Sequence, residues 1–111
     1  MINETDKRLV TLMIEKVERL IEILQTYWRE KIEQEYVLSD AIQYEFEKLY
    51  EDSTRLSIEI IAYHGEDLHI NDLRSIRNRV AHDYESVSIK ILLDTIENDM
   101  PILKTDLQNL L

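Results

Sequence analysis

The chain has one glycine and one proline among its 111 residues, and it has no cysteine. Tight hairpins and glycine-rich loops need residues that tolerate unusual backbone angles, so this chain has almost no means to build them. Charged residues make up 32% of the sequence. Leu, Ile, Glu, Lys and Gln are abundant, and these residue types favour helices. The sequence therefore predicts an all-α protein with a single hydrophobic core.

Apolar residues recur at intervals of three and four, which is the spacing of one face of a helix. A first helix is expected from about residue 5 to residue 35, and at that length it must either bend or project into a partner. A second helix is expected to begin with Ser39 as its N-cap and Asp40 in its first turn. It should end at Gly65, which would adopt a left-handed conformation.

Three more helices are expected in the second half of the chain. The third would be capped by Asn71 or Asp72 and would end between residues 82 and 85, and the fourth would start between residues 86 and 88. Pro101 marks either a kink or the first turn of a terminal helix. The sequence thus predicts one domain over residues 1–111, an antiparallel bundle of four to five helices. Six aromatic residues at helical spacing are expected in the core or at a dimer interface: Tyr27, Trp28, Tyr36, Tyr44, Tyr50 and Tyr63.

No apolar run approaches the ~20 residues that cross a bilayer, and the first residues are polar and acidic, unlike a signal peptide. The sequence therefore predicts a cytoplasmic protein.

The net charge of −10 argues against broad nucleic-acid binding, which depends on basic residues. The charge is uneven, however, because residues 40–67 carry eight carboxylates and only two basic residues. Residues 73–82 carry Arg74, Arg77 and Arg79 and no acid, which suits one focused anion contact or an ordinary solvated face.

The segment from Arg77 to Tyr84 combines side chains that bind phosphate and transfer protons. Asn78 and His82 are four residues apart and share a helix face, while the long Arg77 side chain can reach the same volume. An imidazole titrates near neutral pH, and a guanidinium matches phosphate oxygens with a planar fork of donors. Such a set could cleave a phosphodiester, although a surface arginine beside a half-buried histidine would look the same by spacing alone. A symmetric dimer would supply a second imidazole.

The pattern Arg-Asn-x-x-x-His-x-Tyr, formed by Arg77, Asn78, His82 and Tyr84, resembles the motif of HEPN domains. More narrowly, it is similar to the HepT-like toxins. The tail over residues 96–104 also resembles the closing segment of that family, in which an acidic-Asx pair, an apolar residue and a proline precede an apolar helix. The order of a long first helix, a second helix, a motif helix and this tail is similar as well.

This resemblance implies a HEPN-like helical bundle that forms a symmetric homodimer, with the two motifs meeting in a shared cleft. It implies a metal-independent endoribonuclease in which the ribose 2′-hydroxyl attacks the adjacent phosphate. His82 would transfer protons, Arg77 would bind the scissile phosphate, and Asn78 would position one or both of them. Arg74 and Arg79 would add contacts to RNA phosphates. No cofactor is expected.

The resemblance also implies a nucleotidyltransferase of the MNT type, which acts as antitoxin by transferring AMP to Tyr84. The added phosphates would place charge and bulk where RNA phosphate must bind. Two rival interpretations remain: a non-catalytic binding module that partners a nucleotidyltransferase, and a purely structural helical dimer. A metal site at His64 and His69 is not expected, because their spacing does not place both rings on one helix face.

Overall fold

The computed structural model describes the backbone of residues 2–82 and 89–111 and the side chains of residues 2–78 and 89–111. Within these ranges the chain forms seven helices and no strand, which confirms the all-α prediction. The helices are α1 (Glu4–Thr26), α2 (Arg29–Gln34), α3 (Tyr36–Thr54), α4 (Ile58–His64), α5 (Ile70–His82), α6 (Ile89–Asn98) and α7 (Met100–Asn109). The number exceeds the four to five expected because the first two expected helices are each broken.

The first expected helix is interrupted at Tyr27 and Trp28, both of which have extended backbone angles. The break lets α2 turn back against the bundle and bury the side chain of Ile32 completely. It also brings Arg29 to α6, where the guanidinium lies 2.6 Å from Asp94 and 3.0 Å from Glu97. The hydrogen bond to Asp94 raises the pKa of the Arg29 guanidinium. Tertiary contacts therefore override the local helical pattern, and the expected bend is a full break.

The second expected helix begins four residues earlier than predicted and ends ten residues sooner. Its N-cap position is occupied by Glu35, so the prediction of Ser39 as N-cap is wrong. Ser39 lies within α3, and its hydroxyl donates to the carbonyl of Ile32, 2.9 Å away, which ties α2 to α3. Asp40 consequently lies beyond the first turn of α3.

A short connection replaces the predicted continuation of the second helix, and α4 starts after it. Ser57 caps α4 by accepting a hydrogen bond from the Ile60 amide at 3.3 Å. Gly65 has a right-handed backbone with φ of −57°, so the predicted left-handed stop is wrong. Glycine fits there because an added Cβ would overlap the carbonyl oxygen of Ile61. The residue with positive φ in the described chain is His69, at 54°.

The last helices agree more closely with the sequence. The predicted cap at Asn71 or Asp72 is off by two or three residues, because α5 begins at Ile70 and His69 precedes it. The predicted start of the fourth helix between residues 86 and 88 lies outside the described residues, and α6 is described from Ile89. Pro101 lies in the first turn of α7, which confirms the second of its two predicted roles, a kink or the first turn of a terminal helix.

The long helices alternate in direction, which confirms the antiparallel arrangement. Residues on α1 and α3 pair in reverse order, with Lys16 Nζ 2.6 Å from Asp52 and Arg19 3.2 Å from Glu45. α7 runs opposite to α1, since Lys104 near its start lies 3.7 Å from Glu18 near the end of α1.

The direction of α5 follows from its contacts with α7. The residue before α5, Leu68, shares a cleft with Asn109 and Leu110 at the end of α7. Ile76, further along α5, shares a cleft with Met100 at the start of α7. α5 therefore runs parallel to α1 and antiparallel to α3.

One core joins all seven helices. Its largest fully buried side chains come from five of them: Met13, Leu20, Ile32, Ile42, Phe46, Leu49, Leu92, Leu93, Ile96, Leu103 and Leu107, with Leu68 from the connection before α5. Five of the six aromatic residues are not part of this core. Trp28 is 81% exposed and Tyr63 is 82% exposed, and Tyr27, Tyr36 and Tyr44 are exposed as well. These five rings therefore do not lie in the core, and their placement at a dimer interface stays a prediction.

No helix within the described ranges is long and apolar enough to cross a membrane.

Candidate active site on the fifth helix

The motif helix α5 packs against α3, and a cleft separates it from the α6–α7 pair. Ile70 and Leu73 are buried in the core, and Ile76 is partly buried against it. These apolar residues recur every three positions and fix the rotation of α5 about its axis. As a result, Arg77 faces the edge of α3 while Asn78 faces solvent.

The side chain of Arg77 is half-buried and is held by two neutral groups. Its Nη1 donates to Oδ1 of Asn78 at 3.1 Å. Its guanidinium carbon lies 5.7 Å from the centre of the Tyr50 ring, a cation–π contact across the α3–α5 interface. Both contacts orient the guanidinium without neutralising its charge.

This environment differs from that of the two ion-paired arginines in the described part of the chain, and from that of Arg8, Arg55 and Arg74, which are exposed. The guanidinium of Arg19 is paired with Glu45, and that of Arg29 is paired with Asp94 and Glu97. Among the described side chains, no carboxylate lies within ion-pair distance of Arg77. A positive charge that is partly buried and has no carboxylate partner among the described side chains, in a protein of net charge −10, is suited to bind an anion.

The remaining predicted site residues are described to different extents. α5 carries His82 at its last described position, one turn beyond Asn78, but the side chains of His82 and Arg79 lie outside the described residues. Tyr84 also lies outside them. Arg74 is exposed on α5, one turn before Asn78. The structure therefore brings Arg77 and Asn78 into direct contact and places His82 on the same helix.

Tyr50 is a site residue that sequence reasoning assigned to the core or to a dimer interface. It lies on α3, far from the motif in sequence, and its ring is instead the platform for the Arg77 guanidinium. The helical spacing of Tyr50 identified a buried face correctly, since the residue is partly buried. Spacing alone could not show that this face meets α5.

The two histidines before α5 each lie near one carboxylate. His64 Nδ1 lies 4.0 Å from Asp67, and His69 Nδ1 lies 3.3 Å from Asp72. Within the described residues, no group of three or more His, Asp or Glu side chains is arranged to hold a metal ion. These histidines each pair with a single exposed carboxylate three residues away.

The arrangement on α5 can bind a phosphate at a defined position and place a histidine near it. A guanidinium that is held by a hydrogen bond and a cation–π contact loses less conformational entropy on binding than a free side chain does. The histidine lies five residues further along, which is about 7.5 Å of helix rise.

The chain is thus an all-helical domain whose inner helix presents an arginine–asparagine pair followed by a histidine, the combination found in HEPN domains. The family model described as ribonuclease HepT-like matches residues 13–110, and the chain belongs to this family. Membership points to ribonuclease activity. Comparisons with curated proteins and with solved structures give no significant match.

Proposed function

We propose that this protein is the toxin of a HEPN/MNT toxin–antitoxin pair and that it cleaves RNA in the cytoplasm as a metal-independent endoribonuclease. The family match over residues 13–110 supports the class of activity. The observation that carries the assignment to α5 is the half-buried guanidinium of Arg77, which contacts Asn78 and the Tyr50 ring and has no carboxylate partner among the described side chains.

In the proposed reaction, the ribose 2′-oxygen attacks the neighbouring phosphorus while the bond from phosphorus to the 5′-oxygen breaks. The products are one RNA fragment with a 2′,3′-cyclic phosphate and one with a 5′-hydroxyl. His82 transfers a proton, either from the 2′-hydroxyl or to the departing 5′-oxygen. Arg77 binds the non-bridging phosphate oxygens and stabilises the additional negative charge of the transition state. Asn78 holds Arg77 through its amide oxygen.

A symmetric homodimer is part of this proposal. The reaction needs one group to accept a proton and another to donate one, and a single motif has one imidazole. Two motifs that meet across a two-fold axis would supply both groups. The exposed apolar side chains at the junction of α2 and α3, Tyr36 and Val37, are available for such a contact.

The charge distribution limits the RNA that this site would accept. The net charge of −10 repels long RNA, while residues 73–82 carry three arginines, Arg74, Arg77 and Arg79, and no acid. Arg74 and Arg79 would contact the phosphates beside the scissile one. We therefore propose a defined structural element of a folded RNA as substrate.

Cleavage by the purified protein should continue in a metal chelator. The proposed reaction uses His82 and Arg77 and requires no metal ion, so the cleavage rate with EDTA should equal the rate without it. The measurement is the appearance of cyclic-phosphate ends in total RNA incubated with the protein. If EDTA abolished the activity and added Mg²⁺ restored it, the proposed mechanism would be contradicted.

A protein that binds a nucleotidyltransferase but never cleaves RNA would instead support the alternative interpretation, a non-catalytic binding module.

Removing the Tyr50 ring should weaken cleavage without abolishing it. Tyr50→Leu keeps an apolar side chain on α3 but loses the cation–π contact with Arg77, so we expect a decrease of roughly threefold to tenfold. Tyr44→Leu is the matched control, because Tyr44 lies under Lys48 at 5.4 Å on the same helix but has no contact with Arg77. Equal activity of both variants would show that the ring does not orient the guanidinium.

Tyr84→Phe should retain cleavage and escape silencing by the partner. We propose that the partner nucleotidyltransferase transfers AMP to the Tyr84 hydroxyl and that the added phosphate repels the RNA backbone near His82. Coexpression with the partner, followed by mass spectrometry of the intact protein, should show an AMP adduct on the parent chain and none on the variant. An adduct that persists in Tyr84→Phe would place the modification on another residue.

A further inference from the structure

The short helix α4 leaves most of its apolar side chains uncovered. Ile60 faces the core and is 9% exposed, whereas Ile58 is 85% exposed and Tyr63 is 82% exposed. No other large apolar side chain in the described part of the chain is as exposed as these two. Ala62, one turn after Ile58, is exposed as well. Apolar exposure concentrated on one helix in this way marks a surface that another molecule covers.

A groove with a volume of about 620 Å³ adjoins the exposed face of α4. Its lining comes from the residues around the start of α1, from α4 and its cap, and from the end of α7. Tyr63 belongs to both features, because its side chain is exposed and also lines the groove. The described lining includes no residue of α5, so the groove is separate from the candidate active site.

The groove carries negative charge that no described lysine or arginine neutralises. Asp6 lines it and is 2% exposed, and its carboxylate accepts hydrogen bonds from the amide and the hydroxyl of Ser57. Glu59 lines it too and is exposed to solvent. Neither carboxylate forms an ion pair with a described side chain. His64, which also lines the groove, faces Asp67 at 4.0 Å. The groove is therefore suited to receive a cation from outside the chain.

The apolar face and the negative groove together select the kind of partner. RNA and anionic membrane surfaces are repelled by Glu59 and by the net charge of −10, so neither fits. A protein segment that carries an arginine or a lysine among apolar residues fits both features. Its apolar side chains would cover Ile58 and Tyr63, and its cation would pair with Glu59 at the rim of the groove.

We propose that α4 and the adjoining groove form a docking surface for a partner protein, which places a basic residue in the groove and apolar residues against Ile58 and Tyr63. The charge of Glu59 orients the partner, and the two apolar side chains supply most of the buried surface. Because the described lining includes no residue of α5, this inference does not depend on the proposed ribonuclease activity.

The test selects binders from a phage-displayed library of random peptides, with the full chain as bait. A Glu59→Gln/Tyr63→Ser double variant is used for counter-selection, which removes peptides that bind elsewhere on the chain. We expect the selected peptides to share an arginine or a lysine next to leucine, isoleucine or phenylalanine. Peptides that lack a basic residue, or a selection that yields no peptide, would overturn the proposal.

Single variants then test the two halves of the surface. Tyr63→Ser removes a packing surface and Glu59→Gln removes the charge, so each should weaken binding of a selected peptide about tenfold. Tyr44→Ser and Glu22→Gln are the matched controls, because both residues are exposed on other helices and line no part of the groove. They should bind the peptide as the parent does. All four side chains are exposed, so the variants should fold like the parent. Equal affinity of all four, measured by fluorescence anisotropy, would contradict the proposal.

Sedimentation velocity distinguishes a partner protein from a second copy of this chain. An Ile58→Ser/Tyr63→Ser double variant should keep the oligomeric state of the parent, because the proposed occupant of α4 is another protein. A parent assembly that dissociates in this variant would show that a second copy covers α4, and the proposal would then be wrong.

Discussion

Arg77→Ala and His82→Ala should each lower the rate of RNA cleavage by about 10²–10⁴-fold. Removing the guanidinium takes away the charge that binds the scissile phosphate and stabilises its transition state. Removing the imidazole takes away the group that transfers a proton. Because both act in one chemical step, the double variant should be about as inactive as the more damaging single variant. Single-turnover kinetics on a defined RNA fragment measures these effects.

Two controls separate chemistry from folding in this experiment. Arg77→Lys keeps the positive charge but loses the planar fork and its stacking on Tyr50, so it should recover only part of the activity. Arg8→Ala removes an exposed arginine from α1 and should cleave at the parental rate. All variants should melt close to the parent protein, because Arg77 has no ion pair with a described carboxylate to lose. Full activity of both Arg77→Ala and His82→Ala would show that the site lies elsewhere.

Asp6→Ala should destabilise the fold by about 2–4 kcal/mol, which corresponds to a fall in melting temperature of roughly 10 °C or more. Asp6 is only 2% exposed. Its carboxylate accepts hydrogen bonds from the Ser57 amide at 2.9 Å and from the Ser57 hydroxyl at 2.7 Å. The change leaves both donors without a partner and disconnects the start of α1 from the start of α4. Thermal unfolding followed by circular dichroism measures the effect.

Glu4→Ala is the matched control for Asp6→Ala. Glu4 lies in the same first turn of α1, its side chain is 93% exposed, and it faces Lys7 at 3.6 Å. An exposed pair of this kind contributes little, so we expect a change below about 0.5 kcal/mol. A similar melting temperature for both variants would mean that the contact between Asp6 and Ser57 does not hold α4 in place.

The helical content and the apolar seams could be predicted from the sequence, because they follow from local spacing. The breaks after α1 and α3 could not be predicted in this way. Their causes lie far away in the chain: Arg29 meets Asp94 and Glu97 on α6, and Ser57 meets Asp6 on α1. Ser39 shows the same limit, since a good N-cap residue was used to bind a carbonyl of the preceding helix.

The candidate site was also only partly predictable. The motif residues Arg77 and Asn78 are adjacent in sequence, and their contact follows directly from that. Tyr50 lies on another helix, and its relation to the motif depends on how α3 packs against α5.

The central claim is tested most directly by mapping RNA ends after expression of this chain alone in a bacterium. An Arg77→Ala/His82→Ala double variant, expressed to the same level, is the reference. We expect growth arrest and new fragments that end in a 2′,3′-cyclic phosphate at a small number of sites, with neither effect in the double variant. Normal growth and intact RNA in cells that contain the folded parent protein would contradict the assignment of ribonuclease activity.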